Sequence, residues 1–476
     1  MRRIQRILLT VAAMLPMAGA NIEVRLATPL TSYDSEAGTP FRAVVIAPFM
    51  RDGKVLMPPG TVVLGHVTHV ARVGMGMLRE RASMDLEFER YELPDGREYP
   101  MQATVRRIDN ARESVSDRGT IKGILAANGP QSLLGGVWRS PNPELLQRSF
   151  IGLTGAGGKI FTEYSMGPIG AVGIFAVRIA MFRLPEPEIR MPAGVEMFIE
   201  PSDIPEDAPV FELPEPAVVP VGLRMWLANQ QTALSKPGGG KVKDIINVAF
   251  VGSRDEVEQS FIRAGWTVAE PWNGHSFTRS YDAYNAQAGY QSAPVSKIIY
   301  REREPDLVFE KMFNTLSKRH HIRLWQVSMM GQKVWLGAAS HDVGVSFRSS
   351  HMSFDHKIHP RIDLERSKTL NDLSFAGCLE PVGYVERPTL IQDRTMNGIT
   401  TDGRLAVAFL KSGCSETFET PELKNPRPPL TKVARLARRM MLEGRQYVFR
   451  GNPYYLGYRA FAFNHERRRE NAALNE

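Results

Sequence analysis

The sequence predicts a multidomain protein, an N-terminal all-β barrel or sandwich followed by a C-terminal α/β (α+β) domain. Three observations predict it. At 476 residues the chain exceeds what one hydrophobic core usually organises. Short alternating runs fill residues 21–127, whereas strand and helix patterns alternate after residue 244. Between these regions nine prolines fall from Pro185 to Pro220 among acidic residues, a composition that stiffens a linker.

In chain order, residues 1–20 read MRRIQRILLTVAAMLPMAGA, with three arginines, an apolar run and then Ala18-Gly19-Ala20. That order predicts a secretory signal peptide, because the apolar run is too short to span a bilayer. Export gives the two cysteines a meaning. In an oxidising compartment Cys378 and Cys414 are expected to form a disulfide.

The β domain, 21–127, rests on FRAVVIAPF, TVVLGHVTHVARV, ASMDLEFERYEL and EYPMQATVRRI, separated by Asp-Gly and Pro-Gly turn signals. His66 and His69 lie three apart in a strand, so their side chains face opposite ways. Met57-Pro58-Pro59-Gly60 before a β run recurs as Met191-Pro192-Ala193-Gly194 before VEMFIEP. The repeat predicts a closing barrel strand near 195–200 and makes the Gly-rich apolar stretch 128–184 an excursion. Its longest uncharged segment, Tyr164 to Val177, is too short for a membrane-crossing helix. GLTGAGGK within it is no phosphate loop: Leu153 stands where the first glycine belongs, and Ile160 where Ser or Thr belongs. The linker is assigned to 185–222.

The second domain is assigned to 223–420. DIINVAFVG reads as a strand, 254–264 as a helix stopped by Gly265, and WTVAEPW as a strand. A helix is expected around Leu307 to Lys318, then two β runs. Another is expected from about Pro360 through Leu373, with Ile362, Arg366, Leu370 and Leu373 on one face. The tail, 421–476, interleaves basic and aromatic residues. From Lys432 to Arg469 it holds ten Lys or Arg and two Glu, which accounts for the net charge of +8. Such a tail suits anionic lipid or envelope proteins; nucleic acid is not an expected partner of an exported chain.

Residues from about 244 to 415 resemble the C-terminal domain of the LssY family, named for a type I secretion component. The resemblance is carried by INVAFVGS, AGW at 264–266, APVSKIIY, PDLVFEK, RHHIRLW, VWLGAASHD and HKIHPRIDLER. It implies a bacterial envelope setting, with some relatives fused to membrane modules, and no assigned reaction. His359 departs from the family pattern, which has aspartate there. The phrase PPGTVVLGHV is faintly similar to the barrels of TrbI-type conjugation proteins.

RHHIRLWQVSMMGQKVWLGAASHD raises a chemical question. A turn centred on Met330-Gly331 sets an antiparallel register in which Gln326 faces Trp335, Leu324 faces Gly337, Ile322 faces Ala339 and His320 faces His341. Opposed Cβ atoms then lie about 5 Å apart, so the two imidazoles could share an ion. Six of the ten histidines lie between 320 and 359. A divalent metal would take His320, His341, His356 and Asp363; an anion would take Arg319, Arg323 and Arg366 with His341. Asp363 and Glu365 equally suit the positive end of a helix. The predicted role is a non-catalytic interaction or assembly component of the cell envelope, exported to the periplasm or membrane-associated, linked to secretion or lipid and polymer handling. The alternative is a metal-dependent hydrolase of a phosphorylated or lipid-linked substrate, with Asp342 or Glu365 as general base.

Overall fold

The computed structural model describes residues 21–74, 81–110, 112–124, 186–205, 208–238, 242–286, 289–311, 318–329, 331–348, 353–387, 395–396, 398–414 and 429–449. The expected signal peptide, the whole Gly-rich excursion and the tail apart from 429–449 lie outside them.

Alternation builds the first domain. In Val62–Ala71, Val63, Gly65 and Val67 turn inward while their neighbours are partly exposed. The sheet runs Ser114–Val115, Ile121–Lys122, Ser83–Glu92, Val62–Ala71, Pro40–Val45, Ile22–Leu26, Glu196–Asp203 and Gln102–Ile108, antiparallel throughout. Gln102–Ile108 comes back alongside Ser83–Glu92, so the sheet is a nearly closed barrel. Val24, Phe41, Val63, Phe88, Met197 and Ile199 fill it. Phe41 meets Phe88 edge-on, their ring centres 5.3 Å apart, the arrangement aromatic quadrupoles favour.

The two Met-Pro-x-Gly phrases adopt the same turn. Gly60 and Gly194 have φ of 93° and 94°, a region that disfavours any side chain. Thr61 and Val195 donate back to the carbonyls of Pro58 and Pro192, and the two glycines donate to Val45 and Leu26 of neighbouring strands. The second turn launches Glu196–Asp203, the strand expected near 195–200, into the gap between Ile22–Leu26 and Gln102–Ile108. The proline-rich segment therefore divides. Arg190–Met191 pairs with Leu30–Thr31, and Ile189 is fully buried. The spacer proper follows Ile204.

The second domain is an α/β layer on a mixed sheet. Its order is Thr267–Val268, Leu307–Lys311, Arg319–Met329, Gln332–Arg348, Val248–Val251, Arg404–Phe409 and Gly383–Glu386, with Ser353–Ile358 added to Gln332–Arg348. Among the described strands of this sheet, only Val248–Val251 with Arg404–Phe409 is a parallel pair. One expectation is corrected here. Leu307–Lys311 is a strand, paired antiparallel with Arg319–Met329. LVFEK is too short for its period to separate helix from strand, and the adjacent open edge of the hairpin decides it.

Helix Arg254–Arg263 opens on a capping box, Ser253 with Glu256, which satisfies two otherwise unpaired amides. It and helix Ile362–Phe375 cover one face, where Phe250, Phe261, Phe309, Ile322 and Leu373 form the core. Helix Val221–Ala228 covers the other, with Leu223 and Leu227 against Trp325, Leu336 and Val407. Cys378 and Cys414 form the expected disulfide. The tail supplies helix Lys432–Phe449, which lies on the barrel: Leu442 joins the barrel core, and Arg438 pairs with Glu186 and Glu188. No helix among the described residues is long and apolar enough to cross a membrane.

Candidate functional site

The two histidines meet. The hairpin has the expected register: Gln326 opposite Trp335, Leu324 opposite Gly337, Ile322 opposite Ala339 and His320 opposite His341. A two-residue connection fixes it, with Gly331 at φ 82°, as a hairpin turn of this kind requires. The rings stack with centres 4.3 Å apart.

The third member is Asp109, which follows strand Gln102–Ile108 of the barrel. His320 Nε2 lies 2.9 Å from Asp109 Oδ2, and His341 Nε2 lies 3.8 Å from Asp109 Oδ1. On its other side His320 Nδ1 lies 2.7 Å from Glu365 Oε2 of helix Ile362–Phe375. All four residues are buried. Burial alone would discharge His320, but the carboxylates of Glu365 and Asp109 overcome it and push its pKa up to about 10. Burial and the neighbouring His320 charge hold His341 well below the usual histidine range. At neutral pH the pair is thus one imidazolium on one neutral imidazole.

Beside this cluster lies a larger ionic layer. Strands Ile22–Leu26 and Glu196–Asp203 contribute Glu23, Arg25 and Glu196; the second domain contributes Lys311, Lys368 and Asp372. Arg25 Nη2 reaches Glu196 at 2.7 Å and Asp372 at 3.0 Å. Lys311 Nζ reaches Asp372 at 2.9 Å and Glu196 at 3.2 Å. Lys368 Nζ lies 2.7 Å from Glu196 and 3.5 Å from Glu23. Trp266 donates its indole N–H to Asp372. Burial works against the Asp372 carboxylate, yet Lys311, Lys368 and Arg25 together keep its pKa far below the ordinary range. The barrel and the sheet therefore join through matched charges. Such charges tolerate burial only because each has partners.

The other predicted residues lie elsewhere. Asp363 accepts from the Thr401 hydroxyl and the Asp402 amide, and pairs with Arg366 at 3.1 Å. It is not beside the two histidines. The side chain of His356 lies outside the described residues; its backbone pairs with Val345. The three arginines do not converge on one pocket. Arg319 is held by Asp342 at 2.9 Å and Glu310 at 3.2 Å. Arg323 is held by Asp244 at 3.0 Å, and Arg366 by Asp402 at 2.7 Å. Arg319, His321 and Arg323 point to the sheet face opposite His320, as strand alternation dictates. Asp342, a candidate general base, is engaged by Arg319, whereas Glu365 touches the histidine pair.

Glu23, Arg25, Asp109 and Glu196 have no place in the sequence reading of the site. One weak signal existed. Glu23 and Arg25 alternate with Ile22, Val24 and Leu26, a pattern that ordinarily marks a solvent face. Here the second domain covers that face.

Residues 228–405 match the family model described as LssY C-terminus; the match spans the hairpin, both histidines and helix Ile362–Phe375. No curated protein matches the chain. Among solved structures, ComB10 of the Com type IV secretion system of Helicobacter pylori aligns over 40% of this chain and 91% of its own. That alignment has 15% identity and a TM-score of 0.21, too low to bear on fold or role.

Proposed function

Taking residues 228–405 as an LssY C-terminus domain, we propose that this protein is an exported, non-catalytic assembly component of the bacterial cell envelope, linked to secretion or to handling of envelope lipid and polymer. One observation carries the non-catalytic part. Five titratable side chains of acid–base type, His320, His341, Asp109, Lys311 and Lys368, lie within the junction of two domains, each less than a tenth exposed. A general acid or base must reach its substrate directly or through one water. These groups reach each other. Their chemistry suits holding the barrel and the LssY-like domain in one orientation, so that the outer surfaces of both present a single rigid unit to partners. The signal-peptide-like start and the Cys378–Cys414 disulfide support export.

The test is native extraction of envelope fractions followed by sizing. The chain should be found outside the cytoplasm, in an assembly well above its own 53.2 kDa. A lone chain that hydrolyses a generic phosphoester, with activity abolished by His320→Gln, would replace this reading with the hydrolase.

A further inference from the structure

Three donors of metal-ligating type converge on one point of the domain junction, and one of them has no other use there. Donor atoms of Asp109, His320 and His341 all lie within 4.8 Å of one another. His341 Nε2 is buried and makes no hydrogen bond among the described residues, although it faces Asp109 Oδ1 at 3.8 Å. A buried ring nitrogen without a partner is costly, and its position beside a carboxylate and a second imidazole supplies a reason for it.

We propose that Asp109, His320 and His341 bind one first-row divalent transition-metal ion, Zn2+ foremost, which staples the barrel to the LssY-like domain. Two imidazoles and one carboxylate form a donor set for zinc and its neighbours in the row, whereas magnesium and calcium favour all-oxygen shells. The His320 ring is already oriented for it. Glu365 Oε2 at 2.7 Å from Nδ1 turns Nε2 towards Asp109, the same carboxylate support that metal-bound histidines generally have. The ion replaces the proton that His320 Nε2 shares with Asp109; that proton leaves to solvent on binding, and with both imidazoles neutral the Asp109 and Glu365 carboxylates balance the divalent charge. Ligand distances near 2.0–2.2 Å require the donors to draw together by roughly an ångström, a shift His341 is placed to make because its Nε2 has no hydrogen bond among the described residues.

The ligands come from two domains, Asp109 from the barrel and the histidines from adjacent strands of the sheet. The ion would therefore act on the junction and not on either domain alone. This inference stands apart from the assembly reading: absence of metal would leave a salt-bridged junction and that reading untouched.

The experiment uses the full mature chain, stripped with chelator and titrated with Zn2+ by calorimetry, with Co2+ absorption as a report of nitrogen and oxygen ligation. One equivalent should bind, and the thermal midpoint should rise with it. His341→Gln breaks no hydrogen bond among the described residues, so it should fold and lose at least tenfold in affinity; Asp109→Asn, which also removes a partner of buried His320, should lose affinity with a lower thermal midpoint. His66→Ala, on the barrel surface, should bind as wild type does. Absence of stoichiometric binding by wild type overturns the proposal. So does binding, or a thermal rise, that persists unchanged in His341→Gln, because the ion would then lie elsewhere.

Discussion

His320 carries charge because carboxylates from two domains grip both of its ring nitrogens. Replacing it tests how much that grip contributes. His320→Gln would leave Asp109 and Glu365 buried beside a neutral amide, and removing one partner of a buried ion pair typically costs about 3–5 kcal/mol. Urea unfolding of the metal-free protein should show a loss of that size; a loss below about 1 kcal/mol would mean that the carboxylates find other partners. Glu23 gives the opposite kind of signal. Burial pushes its pKa from 4.5 up to about 7, reinforced by Glu196, Asp372 and Asp109 and opposed by Lys368. A raised carboxylate pKa means that the folded state holds the proton more tightly than the unfolded state. Its contribution to stability is thus full below pH 4.5 and is lost as pH rises through 7. Glu23→Gln mimics the neutral form and should flatten that part of the stability profile, becoming more stable than wild type at pH 8. Parallel profiles for the two proteins would exclude Glu23 as the titrating group.

At the scale of elements, the hairpin and the helix against it fix the site, and both depend on close approach. Gly337 sits opposite Leu324 and beside Val248; a Cβ there would lie 2.7 Å from Val248 Cγ1 and 3.0 Å from Leu324 Cδ2. Gly337→Ala should destabilise by about 1–3 kcal/mol through overpacking, measurable as a lower urea midpoint with an unchanged slope. Helix Ile362–Phe375 shows why its other face was illegible. Glu365, Lys368 and Asp372 recur at helical spacing, which in sequence is indistinguishable from a solvated charged stripe. In the structure they face the barrel and are less than a tenth exposed. Helix Lys432–Phe449 is a similar case: its Arg438 answers Glu186 and Glu188, not only solvent. Arg438→Ala should speed proteolysis within 432–449 while leaving the overall fold intact; an unchanged cleavage rate would show that the Arg438 pairs do not hold the helix.

For the whole molecule, the ionic junction makes cooperativity the informative quantity. Domains joined through a small, wet surface unfold separately, whereas a dry interface couples them. Wild type should melt in one calorimetric transition. Asp372→Asn weakens the contacts of Arg25, Lys311 and Lys368 together and should resolve two transitions, one for the barrel and one for the sheet domain. Two transitions already present in wild type, or one retained in the variant, would show that the network does not couple the domains.

The division between sequence and structure follows from the range of the forces involved. Strand alternation, turn glycines, the Met-Pro-x-Gly repeat and the register that sets His320 opposite His341 are local, because side-chain period and turn length are properties of a few consecutive residues. They were readable, as was the resemblance of residues from about 244 to 415 to the LssY C-terminal domain, which the family match over 228–405 overlaps. Whether LVFEK becomes a strand was not readable, because a neighbouring edge decided it. Nor could sequence supply Asp109, 211 residues from His320, or show that Glu23, Arg25, Lys368 and Asp372 point inward. A charged side chain looks the same in sequence whether it meets water or an opposite charge. Only the packing of one domain on the other distinguishes the two.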